Sequence, residues 1–167
     1  MEAHDFKAAW ERDDDVLHLF TSEEIGHART SSVAEHFLTT VGLPLAAAPC
    51  LSFGEQSLDW PPEEARQGYL PIGSDGAGNP IVVDSDGTVL LLDHDGRFAP
   101  SYVNSDIPTL AEVLLKYRDL IDDAATAPDF DGELSAILRE RFAVFLEKLD
   151  PRCLQENRMW SGELQLR

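Results

Sequence analysis

Between Tyr69 and Asp93 the chain passes through three short apolar runs, YLPIG, IVVD and TVLLLD, each bounded by glycine, aspartate or asparagine. Runs of this length rich in Val, Ile and Leu suit strands and are too short for a packed helix. The punctuation SDGAGN, DSDG and DHDG has hairpin chemistry, because Asp-Gly supplies the positive φ angles that tight turns demand. Strands joined by such short turns pair with their sequence neighbours, so an antiparallel meander is expected. A sheet edge left exposed after Leu92 would permit self-association.

The flanks read as helices. Thr30 to Ser32 can cap a helix whose face is Val33, Phe37, Leu38 and Val41, ended by Gly42 with Pro44 beyond. After the sheet, Ser105 is the expected N-cap and Asp106 suits the first turn, with Ile107, Leu110, Ala111, Leu114, Tyr117 and Ile121 on one face. Beyond an APDFDG linker, residues 132–149 form a second amphipathic helix through Leu134, Ile137, Leu138, Phe142, Phe145 and Leu149, stopped before Pro151. The start reads as a short helix around Phe6 to Trp10, a charged break at Asp13 to Asp15, and the piece VLHLF as a strand candidate. Pro61-Pro62 excludes regular structure there, and the tail from Trp160 through ELQLR reads as a final strand or a loose end. The fold class is therefore α+β, a mainly antiparallel sheet flanked by helices, in one domain over 1–167.

Charge narrows the function. The 167 residues hold 31 Asp and Glu against 13 Lys and Arg, a formal net charge of −18. Residues 1–60 carry 11 acids and 3 bases and residues 61–125 carry 12 and 4, whereas residues 126–167 carry 8 and 6. A field of this sign repels nucleic acid and anionic membrane and speeds encounter with a basic partner. No run approaches a membrane span and the start MEAHDFKAAWERDDD lacks a leader pattern, so a cytoplasmic protein is expected. Cys50 and Cys153, without a CxxC partner, read as two buried thiols rather than a disulfide or metal pair.

No catalytic or cofactor constellation emerges. Asp84, Asp86, Asp93 and Asp95 recur with an offset that invites a calcium reading, but the loop from Asp84 has Gly87 and Thr88 where an EF-hand needs a residue of free choice and an acid. They are read as turn residues. The Gly73 to Asn79 loop has no lysine and leads into a strand, so it is no phosphate cradle. His4, His18, His27, His36 and His94 lack ligand spacing and read as surface or cap residues, and there is neither GxSxG nor HExxH. No metal or cofactor is expected, and no enzyme.

Three segments in order, FLTTVGLP at 37–44, YLPIGSDGAGNPIVVDSDGTVLLLD at 69–93 and YVNSDIPTLAEVLLKY at 102–117, resemble the SUKH superfamily of bacterial immunity proteins, in particular its fourth family. The likeness covers roughly residues 30–121 and, more loosely, the whole chain. It implies an α+β fold and a protein that neutralises a toxin, often a nuclease or nucleic-acid deaminase, and it supplies no catalytic residues. Gly42, Pro44, Gly73, Asp86, Gly87, Asn104 and Ser105 match the family pattern, and each also has a structural account as a helix stop, turn or cap.

The leading expectation is that an acidic face docks on a basic toxin domain. Its candidate rim is Asp13, Asp14, Asp15, Glu23, Glu24, Asp59, Glu63, Glu64, Asp93 and Asp95, with Trp60 as an exposed anchor or, alternatively, a core residue. Two other readings compete: an acidic adaptor or regulatory scaffold of the same fold without a toxin, and a hydrolase or calcium-binding enzyme built on the DSDG and DHDG turns.

Overall fold

The computed structural model describes residues 3–11, 16–26, 28, 30–54, 68–126 and 134–165. Its centre is the expected meander. Strands β5 (Leu70–Ser74), β6 (Pro80–Val83), β7 (Val89–Asp93) and β8 (Ala99–Asn104) pair antiparallel in sequence order. Two short strands, β3 (Ala46–Ala47) and β4 (Leu51–Phe53), extend the sheet beyond β5 to six strands. β7 is therefore interior, and the edge anticipated after Leu92 is paired with β8, so the free edges are β3 and β8. The VLHLF piece contributes only β1 (Leu17–His18), which pairs with β2 (Leu43–Pro44) as a separate two-stranded sheet.

The turns rest on aspartate more than on Asp-Gly. In each, the first aspartate folds its carboxylate back onto the turn: Asp75 Oδ1 accepts from the amides of Ala77 and Asn79, Asp84 Oδ1 from those of Asp86 and Thr88, and Asp93 Oδ1 from Asp95. Positive φ does fall on Gly87, but in the other turns it falls on Gly78 and on Arg97 and Phe98 rather than on the glycine after aspartate. Gly73 matters for a different reason. A Cβ there would sit 2.0 Å from the Ser52 carbonyl oxygen, so the β4–β5 approach requires hydrogen at that position.

The helices enclose one face of the sheet. α1 (Ala3–Trp10) buries Phe6 and Trp10, and α2 (Ser22–Ile25) is a single capped turn. α3 (Ser32–Thr40) is capped by Ser31 Oγ on the Ala34 amide at 3.1 Å and buries Ala34, Phe37 and Leu38. Val33, expected on that face, is 56% exposed, because Ala34 takes the inward position. α4 (Ile107–Ala125) starts on Asp106, whose Oδ1 accepts from the Thr109 amide at 2.8 Å; Ser105, the expected cap, lies one residue too early and bonds Thr109 Oγ1 instead. Its 19 residues bury Val113, Leu115, Leu120 and Ala124 beyond the predicted stripe, because α1, α3, α5 and β8 surround it. Each such aliphatic burial is worth about 1.5–3 kcal/mol.

α5 (Ala136–Leu149) is capped by Ser135 and buries Phe142 and Leu146, whereas Ile137, expected inward, is 71% exposed. The chain then makes a 3-10 turn at Pro151–Leu154 and a last helix, α6 (Met159–Gln165), where a strand or loose end was expected. Trp160 explains the difference. It is fully buried, 5.7 Å from the Phe142 ring and 6.0 Å from Tyr117, and a helix is what carries it there. Of the two thiols expected to be buried only Cys153 is; Cys50 is exposed at a positive-φ turn position.

Candidate functional site

The acids singled out from sequence fall on separate elements. Glu23 and Glu24 both lie on α2, yet they do different things. Glu24 completes a capping box: its carboxylate accepts from the Thr21 amide at 2.7 Å, and its own amide donates to Thr21 Oγ1. The same carboxylate meets His18 Nε2 at 2.7 Å, and its side chain is only 13% exposed. Burial acts to raise its pKa, but the hydrogen bonds from Thr21 and His18 outweigh it and hold the carboxyl below the usual carboxylate range. Glu24 thus fixes α2 and His18 to each other, while Glu23 points to solvent.

Asp93 and Asp95 form a second group at the end of the sheet. Asp93 is occupied in the turn, whereas the Asp95 side chain is 90% exposed. His94 ties this turn to its neighbour: its amide and Nδ1 both meet Asn79 Oδ1, at 3.0 and 2.7 Å, and Asn79 is in turn held by Asp75. The projecting acids of the two aspartate-rich turns, Asp86 and Asp95, stand at opposite ends of the meander, so they share no ion site. Among the described residues no group of three or more His, Cys, Asp or Glu side chains is placed to hold a metal.

Asp13, Asp14, Asp15, Asp59, Trp60, Glu63 and Glu64 lie outside the described residues, as does the APDFDG linker. Next to the first of these groups in the chain, the structure shows an apolar pair that sequence reasoning missed. Val16 and Leu45 are 61% and 45% exposed, and the Leu45 amide donates to the Val16 carbonyl at 3.2 Å. The signal was VLHLF itself, read only as a strand candidate. An aliphatic pair beside an acidic run has the make-up of an interface anchor with a charged rim.

A highly connected polar group is internal. Asp150, 4% exposed, accepts from Tyr102 Oη at 2.8 and 2.9 Å, Asn104 Nδ2 at 3.2 Å and the Ser105 amide at 2.8 Å. Asn104 Oδ1 then accepts from Trp160 Nε1 at 3.0 Å, and the Arg152 guanidinium stacks 4.2 Å above the Tyr102 ring. Asn104 and Ser105, two of the positions carrying the family likeness, therefore join β8 and the start of α4 to the end of α5 and to α6. Burial, reinforced by Asp150, pushes the Tyr102 phenol well above its ordinary pKa. This arrangement locks four elements together.

Gly42 and Gly87 are structural in the same sense: Gly42 packs on the His18 carbonyl and Gly87 on Ser31 Oγ, both at positive φ. With the matching positions accounted for, the comparison with known families decides the relationship, since the SUKH-4 immunity protein model matches residues 7–165. The chain belongs to the SUKH-4 immunity protein family. No curated protein and no solved structure matches it. The SUKH-4 match reaches well past the 30–121 core of the sequence likeness and takes in α5 and α6, the elements that the Asp150 network ties to the sheet. A family of immunity proteins implies a cognate toxin as partner, and such proteins are generally not enzymes. Among the described residues no helix of this SUKH-4 chain is long and apolar enough to cross a membrane.

Proposed function

We propose that this protein binds a cognate bacterial toxin and neutralises it by covering the toxin's active or substrate-binding surface, acting in the cytoplasm as one domain over residues 1–167. The observation that carries the reading is the SUKH-4 match over 7–165. A toxin that acts on nucleic acid, as a nuclease or deaminase does, presents a basic surface to its polyanionic substrate. A chain of net charge −18 is drawn to the same surface. In this reading Asp13, Asp14, Asp15, Glu23, Asp59, Glu63, Glu64, Asp93 and Asp95 supply the acidic field, Val16 and Leu45 an apolar centre, and Trp60 a further anchor. Glu24 belongs to the rim through the turn it holds, and Asp93 through the turn that presents Asp95.

The test is co-expression with the product of the adjacent toxin gene. Growth is expected to be restored and the two chains to co-purify; growth arrest with no complex would overturn the proposal. Stopped-flow association at about 50 and 500 mM salt then isolates the charge contribution, with the on-rate falling about tenfold or more across that range. Equal rates would remove the electrostatic part and leave the binding function standing.

A further inference from the structure

One surface has the opposite character to the rest of the molecule. Between α4 and α5 lies a groove of about 490 Å³ lined by the apolar Ile137, Val144 and Phe145 and by a set of cations along its rim, Lys116, Arg141 and Lys148, with Glu140 the one acid in the lining. Ile137 and Val144 are 71% and 45% exposed, although the opposite side of α5 is packed into the core. Among the described residues neither Lys116 nor Lys148 has an ion-pair partner, and Arg141 has only a solvent-exposed one in Asp123, at 3.8 Å. Exposed pairs of that kind are worth about 0–1 kcal/mol, so the rim cations are essentially uncommitted.

We infer that this groove is a docking site for an amphipathic helix with acidic flanks, carried by a protein other than the basic toxin. Three physical points select that occupant. From Ile137 to Lys148 the groove runs along about 16 Å of α5, three helical turns, and a third helix laid against α4 and α5 completes a helical layer. Apolar side chains at helical spacing on the incoming segment cover Ile137, Val144 and Phe145, while its carboxylates meet Lys116, Arg141 and Lys148. A basic segment would face three like charges, and anionic lipid or nucleic acid, though matched to the rim, is held off by the −18 charge of the whole chain. A short acidic segment feels the local cations at close range with far less of that repulsion.

The inference does not depend on toxin binding, and its test uses the full chain alone. The probe is a fluorescein-labelled synthetic 16-residue helix with Leu at i, i+3, i+4 and i+7 and Glu on both flanks, titrated by anisotropy at about 100 mM salt. Two controls accompany it, the same peptide with Lys for every Glu and vesicles of phosphatidylglycerol. Saturable binding of the acidic peptide is expected, with backbone amide shifts confined to α4 and α5. The R141E/K148E variant, which alters only exposed side chains and is expected to melt as the parent does, should weaken binding about tenfold or more, and V144D should do the same by breaking the apolar floor. Absence of saturable binding, equal affinity for the lysine peptide, a preference for the vesicles, shifts elsewhere on the protein, or an unaltered affinity in R141E/K148E would each overturn it.

Discussion

The meander and the C-terminal clasp solve the same problem, satisfying polar groups at the ends of packed elements, in opposite ways. In the meander each turn is closed by its own aspartate acting over two to four residues, as Asp84 does on Asp86 and Thr88. In the clasp a single buried carboxylate, Asp150, serves groups 45 to 48 residues away in the chain. Local closure makes each turn cheap to lose, with one cross-tie, from His94 in the Asp93 turn to Asn79 in the Asp75 turn. Distant closure concentrates the stability of β8, α4, α5 and α6 in one side chain.

The sharpest way to break that contrast is Asp150→Ala. Removing the acceptor leaves the buried Tyr102 hydroxyl and Asn104 amide without their partner and frees the Ser105 N–H, and a loss of about 3–5 kcal/mol is expected in urea denaturation. Next comes a point where the meander is held close to backbone outside it. Gly73→Ala forces a methyl group against the Ser52 carbonyl and should cost about 1–3 kcal/mol by the same assay. Asp84→Ala should cost only about 1 kcal/mol, because the freed amides lie near solvent. Combining Asp75→Ala with Asp84→Ala, at opposite ends of β6, should be additive within about 0.5 kcal/mol, whereas Asp150→Ala with Asn104→Ala should deviate by more than that. Additivity in the second pair would mean that the clasp is not a coupled unit.

Two further measurements sharpen the comparison through protonation. Tyr102 and Tyr117 are raised above the ordinary 10.0 by burial first, then by Asp150 and Glu163 respectively. The unfolded chain ionises these phenols near pH 10 while the folded chain keeps them neutral, so stability should fall as pH rises beyond about 10. Tyr117→Phe should flatten that alkaline slope in pH-dependent denaturation. Glu24 works with the opposite sign. Its lowered folded pKa contributes stability above the ordinary carboxylate value of 4.5 that is lost as pH falls through the folded value, and Glu24→Gln should reduce the acid-side slope. The smallest effect is chemical. Burial pushes the Cys153 thiol up to about 12, so Ellman's reagent at pH 8 should titrate Cys50 in the native protein and reach Cys153 only in denaturant.

The same division decides how much was legible in the sequence. The meander, its order and its turn positions could be read from Asp-Gly punctuation because the physics is local, and even there the details of which residue takes positive φ could not. α4 was legible as a helix, but the burial of Val113, Leu115, Leu120 and Ala124 beyond one stripe was not, since that depends on α1 and α5 arriving from either end of the chain. Ile137 and Val33 were misplaced for a related reason: spacing defines a face but not which neighbouring position turns inward when a small residue such as Ala34 can pack closer. The clasp was invisible. Asp150 before Pro151 read only as the end of a helix, and Trp160 in an apparently alternating tail gave no hint of its bond to Asn104. Among the candidate site acids, sequence could name carboxylates but could not separate Glu24, which holds a cap and His18, from Glu23, which is exposed to solvent.

The span of the clasp also has a meaning in time. Synthesis proceeds from the N-terminus, and the Asn104 side chain emerges 46 residues before the carboxylate it donates to. At roughly 5–20 residues per second, Asn104 waits about 2 to 9 s for Asp150, and longer for Trp160. The hairpins of the meander close in microseconds and need nothing that has not already been made. Translation itself therefore sets the order of assembly, with the sheet preceding the clasp, and the last strand is secured only when the final helices are delivered.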